Sequence, residues 1–413
     1  MESLKINDIG IFAIPFDRVK TVSCAFLVRS GSAHEPNELA GISHFIEHAA
    51  FRGTRNYDQF SLKYSIESVG GTLNAFTDRL ATVYYVRVPE FHFEKTLDVL
   101  KEITFFPLFD EKDVEIERRV ILEEYKMSLD DPPTRLLDTL MEMVWPGPFG
   151  RAIIGRKETI EKISPEDLRT YHERSYGNDN TVILLAGKVS DKELKKVEKV
   201  VEELGKKTTE LRLPDDPIFN SLKSFYLKRE DLEQVHVALV RPVPGRKSPE
   251  YHTLAVLNTA LGSGMSSILF NEMREKEGFV YEISSQVYLL NKTGILVIYA
   301  ALSPEKIEEF FQKLKKVLSD RSLFLRNFEY GKTRYLGKLE MLTDSPHGIL
   351  SFVMESLIFG EEETPDEVME KVKAVDREDY ERLYEEVFLG DWCVFGIGPS
   401  QGEILRSYEF KVE

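Results

Sequence analysis

His44, Glu47 and His48 stand in the run His-Phe-Ile-Glu-His, and their types and spacing suit metal chemistry. Residues four apart share one face of a helix, so both imidazoles can point at a single ion. Glu47 falls beside them, where a carboxylate can take a proton from water at that ion. The order HxxEH reverses the more common HExxH zinc motif. Around it lie Ile42, Phe45, Ile46, Ala49, Ala50 and Phe51, so the polar residues occupy one side of an otherwise apolar helix. A catalytic zinc takes three protein ligands and keeps a fourth position for water, so a third donor must come from elsewhere in the chain.

The stretch from Glu111 to Leu129 reads as a helix ending before Asp130-Asp131-Pro132-Pro133, and it offers Glu115, Glu117, Glu123 and Glu124. Glu117 and Glu124 are seven apart, two turns, and share a face with Val120 and Ile121. Carboxylates on an inward, apolar face need a partner, and a metal is one. Glu115 and Glu123 lie beside Arg118 and Arg119 and read as solvated.

The elements that must position these groups follow from hydrophobic period and punctuation. Thr21–Arg29 reads as a buried strand, 40–51 as the helix carrying the histidines, and Tyr57–Val69 as a second helix closed by Gly70-Gly71. Strands follow near 72–76 and 82–88, then Pro89 opens a long helix. The order recurs in the second half. Strands fall in 225–240 and helices at 252–261 and 266–277; after Gly278 come strands near 279–288 and 295–301, and Pro304 opens a helix. The same punctuation thus repeats about 210 residues later, which predicts an α+β fold of two tandem homologous domains, 1–210 and 217–413, joined by a linker at 211–216. Only the first half carries the histidine pair. The other histidines, at 34, 92, 172, 236, 252 and 347, have no ligand spacing and read as structural or surface residues.

Composition narrows the function classes. The 413 residues are 42% hydrophobic and 30% charged, as in a folded globular protein. A net charge of −16 disfavours nucleic acid or an anionic membrane as partner. The two cysteines, Cys24 and Cys393, form no CxxC pair and read as small buried residues. No secretory signal is visible in MESLKINDIG and no window of about 20 apolar residues occurs, which points to a cytoplasmic location.

Three segments, GISHFIEHAAFRGT, GGTLNAFTDRLATVYY and ERRVILEEYKMSLDDP, together resemble the pitrilysin and mitochondrial-processing-peptidase family of zinc peptidases. Glu124 lies 76 residues after His48, with Glu117 seven before it, as in that family's pattern, and LGSGMSSILFNEMREKEGFVY resembles its second-domain signature, with Ile268 where many members have arginine. The resemblance implies mostly antiparallel sheets packed with helices in both domains. It implies one Zn2+ per chain held by His44, His48 and Glu124, with Glu47 as general base and Glu117 as a carboxylate orienting a ligand. It implies further that Asn74 and Ala75 pair with the substrate backbone and that Arg274 and Tyr281 bind the substrate carbonyl oxygen. By the same resemblance the chain is expected to be a zinc endopeptidase for unstructured peptides. It is also expected to form a homodimer with composite sites, Arg274 and Tyr281 serving the zinc site of the other copy. The alternative is a non-catalytic core or partner-binding subunit of the same family.

Overall fold

The computed structural model describes residues 1–16, 18–221 and 224–413. The chain forms two compact units. The first comprises Met1–Met127, Arg151–Asp215 and Met341–Pro365; the second comprises Ser128–Gly150, Asp216–Glu340 and Asp366–Glu413. Two segments, 128–150 and 341–365, therefore belong to the unit opposite the one their place in the sequence suggests. A division into contiguous ranges does not contain this exchange.

The sheet of the first unit is built from β1 (Glu2–Ile6), β2 (Ile9–Pro15), β3 (Thr21–Val28), β4 (Thr72–Thr77), β5 (Thr82–Pro89) and β6 (Thr181–Gly187). Their order is β1-β2-β6-β3-β5-β4, antiparallel except for β2 with β6. The continuous apolar run TVSCAFLV of β3 has its cause here, because the strand is central and buried on both faces. Val22, Cys24, Phe26 and Val28 face one core, shared with helices α1 (Ile42–Ala50), α2 (Gln59–Glu67) and α3 (Phe93–Phe105). Ala25 and Leu27 face the other, which the helix Pro346–Ile358 covers with Ile349, Leu350, Val353 and Leu357. Each such side chain withdrawn from water contributes about 1.5–3 kcal/mol, enough to recruit a distant helix to an apolar sheet face.

The second unit repeats the plan. Its strands are β7 (Ser224–Lys228), β8 (Val235–Pro244), β9 (Val280–Leu289), β10 (Thr293–Leu302), β11 (Gly390–Gly398) and β12 (Phe410–Val412). The path runs β12-β11-β8-β10-β9, with β7 paired in parallel to β11. Setting aside β1 and β12, the order 2-6-3-5-4 of the first sheet becomes 7-11-8-10-9 in the second. That correspondence supports the reading of two tandem copies of one α+β domain.

Helix α4 (Glu111–Asp130) carries the candidate glutamates, and α5 (Pro132–Val144) follows it. On α4 the buried stripe is narrow, made of Val114, Glu117 and Ile121. Val120, expected to face inward, is 40% exposed. It sits three residues from Glu117, on the far shoulder of the face that Ile121 continues. The stretch 266–277, read as one regular helix, contains a π-helical turn at Phe270–Glu275, where Lys276 N–H bonds Asn271 O, five residues back. Both cysteines are buried and unlinked. Among the described residues no helix is long and apolar enough to cross a membrane.

Candidate metal centre

Helix α1 begins where the backbone demands a glycine. Gly41 has φ +93, and a Cβ there would lie 2.5 Å from Ile154 O. The first free amides of the helix are capped from outside: Glu35 accepts from Gly41 N–H at 2.8 Å and from Ser43 N–H at 2.9 Å. Arg151 donates to the Glu35 carboxylate at 3.3 Å and to the carbonyls of Ser32 and Glu35. Both side chains are almost wholly buried. Burial raises the Glu35 carboxyl to about 7, against the pull of these donors. A buried carboxylate over a helix N-terminus is favourably placed, and this one fixes the start of the helix that bears the motif.

Phe45, Ile46, Ala49 and Ala50 pack inward, leaving His44, Glu47 and His48 half-buried on the other side. The two imidazole rings lie 4.6 Å apart, centre to centre. Glu124 Oε2 approaches His44 Nε2 at 3.9 Å and His48 Nε2 at 3.5 Å. Donor atoms of His44, His48 and Glu124 all lie within 4.8 Å of one another, and among the described residues this is the only such group. Two imidazole nitrogens and one carboxylate oxygen are the donor set of a hydrolytic zinc with an open position, so the residues fit that ion.

The surroundings tune these donors. Burial, with His48 adjacent, pushes His44 down to about 3, so it is a neutral imidazole. At His48 burial disfavours charge, but the Glu117 hydrogen bond and the carboxylates of Glu124 and Glu47 outweigh it and raise its pKa. His48 Nδ1 lies 3.0 Å from Glu117 Oε2, which leaves Nε2 facing Glu124. Burial also works against a charged Glu117, yet its hydrogen bonds with His48 and Arg52 hold the carboxyl below the usual range. Arg52 Nε donates to Glu117, and its Nη1 donates to Gln59 at 3.2 Å. A carboxylate behind a ligating imidazole fixes its tautomer and orientation. Glu47 stands outside the donor group. Burial raises its pKa, and Thr77 Oγ1 donates to its Oε2 at 2.6 Å.

Asn74 and Ala75 lie on β4, the edge strand of the first sheet. Asp78 N–H bonds Ala81 O across the hairpin, so by antiparallel alternation the peptide groups of Ala75 point away from β5. Ala75 N–H is taken by the Asn74 side-chain oxygen at 2.9 Å. Arg274 and Tyr281 belong to the second unit. Arg274 sits in the π-helical turn with its guanidinium 4.7 Å from the centre of the Phe270 ring, and Tyr281 is 75% exposed at the start of β9. His34, His172 and His236 have local partners in Gly31, Thr104 and Tyr299. Sequence reasoning missed Thr77, Arg52, Glu35 and Arg151 as parts of the site. Arg52 lies within GISHFIEHAAFRGT and Thr77 within GGTLNAFTDRLATVYY, the signals that the sequence offers for these two.

A family model described as Insulinase (Peptidase family M16) matches residues 12–157, and one described as Peptidase M16 inactive domain matches residues 162–322. The Bacillus subtilis (strain 168) protein named Uncharacterized zinc protease YmxG is 31% identical over 394 residues, covering 92% of this chain and 94% of that protein. Uncharacterized zinc protease ML0855 of Mycobacterium leprae (strain TN) is 34% identical over 307 residues, covering 73% of this chain and 68% of that one. Among solved structures, a protease from Helicobacter pylori superposes with a TM-score of 0.87 at 20% identity, over 96% of this chain and 99% of that one. A peptidase M16 inactive domain from Pseudomonas fluorescens gives 0.86 at 16% identity, over 97% and 98%. The two solved structures share this fold.

Proposed function

Because the chain belongs to the M16 family of zinc metallopeptidases, we propose that it is a zinc-dependent endopeptidase that hydrolyses unstructured oligopeptides. The observation that carries this reading is the convergence of His44, His48 and Glu124, with Glu47 beside them but outside the donor group. Zinc, when bound, supplies a Lewis acid for the scissile carbonyl and makes water acidic enough to react near neutral pH. His44 and His48 would hold the ion through Nε2 and Glu124 through a carboxylate oxygen. Glu47, which binds no metal, accepts a proton from the attacking water and passes it to the leaving amine nitrogen. Glu117 holds His48 by Nδ1.

The outward peptide groups of Ala75 suit main-chain pairing with an extended substrate, which recognises shape and not sequence. Arg274 and Tyr281 bind the substrate carbonyl oxygen, and in a homodimer they serve the metal site of the second copy. A chamber closed by such pairing admits short or unfolded chains and excludes folded proteins.

The test is cleavage of a fluorescence-quenched, unstructured peptide by zinc-loaded wild type and by Glu47→Gln, with zinc counted in both. Wild type should cut, and the variant should keep its zinc and lose about 10²–10⁴-fold in kcat. Zinc bound by both with no cleavage by either would favour a partner-binding subunit. Failure of both to bind zinc would remove the ligand assignment.

A further inference from the structure

A general base must present one oxygen to water and keep it there. Glu47 is on α1, but the hydrogen bond to its carboxylate comes from another element. The restraint comes from β4. Side chains of a strand alternate between faces; on β4, Leu73 and Ala75 pack toward the core that α1 shares, and Phe76 packs toward the opposite one. Thr77 falls in the first set and brings its hydroxyl to Glu47 Oε2 at 2.6 Å.

The threonine is itself well fixed. It pairs with Thr82 at the end of β4, beside the hairpin bond from Asp78 N–H to Ala81 O at 2.8 Å. Thr82 is fully buried and donates through Oγ1 to Ser30 O at 2.8 Å. A β-branched side chain has few χ1 choices, so the hydroxyl is held where the strand puts it.

We propose that Thr77 is a positioning residue for the reaction: its hydroxyl anchors Oε2 of Glu47 and reserves Oε1 as the atom that takes the proton from water. This rests on the reading of Glu47 as general base. The strand that positions the base is also the one whose outward peptide groups suit the substrate, with Thr77 two residues beyond Ala75. Docking of the peptide and aim of the base thus depend on one strand.

The test is a double-mutant cycle on the zinc-loaded full chain with the quenched peptide. Thr77→Val removes the hydroxyl and keeps the branched shape; kcat should fall on the order of tenfold to a hundredfold, with KM, zinc content and Tm unchanged. Thr77→Ser should recover most of the lost kcat. Adding Thr77→Val to Glu47→Gln should cost nothing more, because two residues acting as one unit are not additive. Thr77→Ala serves the same comparison where thermal unfolding reports that valine does not pack. Wild-type kcat in Thr77→Val overturns the proposal, as does a serine variant as impaired as the valine one. So does a full further loss on the Glu47→Gln background. A dead Glu47→Gln beside a normal Thr77→Val leaves the base reading standing and removes only this inference. An undiminished Glu47→Gln removes both.

Discussion

Glu117 stays ionised in a place where burial opposes it, because His48 and Arg52 both meet its carboxylate. Glu117→Gln preserves the shape but loses the charge, and it leaves the Arg52 guanidinium facing a neutral amide. Zinc affinity should fall about tenfold to a hundredfold, as measured by competition with a chromophoric chelator; unchanged affinity would make Glu117 a bystander. At this scale the spacing of His44 and His48, and of Glu117 and Glu124, was legible in the sequence because helix geometry is local. Resemblance, not geometry, distinguished ligand from supporting carboxylate. The structure assigns the two different surroundings: Glu117 meets His48 Nδ1, and Glu124 meets both Nε2 atoms. The contacts of Thr77 and Arg151 were not legible, since each residue reaches its partner only through tertiary packing, across 30 residues for Thr77 and Glu47 and 116 for Arg151 and Glu35.

Helix α1 depends on its first turn as much as on its apolar face. Gly41 and Gly155 approach back to back: a Cβ on the first would meet Ile154 O at 2.5 Å, and one on the second would meet Ala40 O at 2.4 Å. Gly41→Ala therefore meets both a left-handed backbone and a steric clash. Urea unfolding should report a loss of at least about 1–2 kcal/mol, the cost of the backbone conformation alone. Zinc affinity should fall with it, since the start of the helix sets where both imidazoles point; an alanine variant of wild-type stability would show that the Glu35 cap tolerates a shifted backbone. The strands β3, β4 and β5 and helices α1 to α4 were legible from period and punctuation. The π-helical turn at Phe270–Glu275 was not, because nothing in hydrophobic spacing marks one extra residue in a turn. Nor was the assignment of Pro346–Ile358 to the first unit. Its apolar residues are evident in the sequence, but the face they cover is made by strands more than a hundred residues away.

For the whole molecule, the shared strand order of the two units and the single histidine motif describe a duplicated domain in which, among the described residues, a group of candidate metal donors occurs only in the first unit. The proposed homodimer makes a specific prediction. Glu47→Gln and Tyr281→Phe, each inactive alone, should regain part of the activity when mixed under conditions that allow subunit exchange, because each mixed dimer carries one intact composite site. No recovery with exchange demonstrated would count against sharing between copies. The open edge of β4 has a consequence for solubility. An unpaired sheet edge is a template on which other chains can stack, and the proposed handling of unfolded peptides would expose the protein to that hazard in every encounter. The Asn74 side chain occupies the Ala75 N–H that an incoming strand would need. A strand added at this edge would therefore have to displace that side-chain bond before it could pair with Ala75.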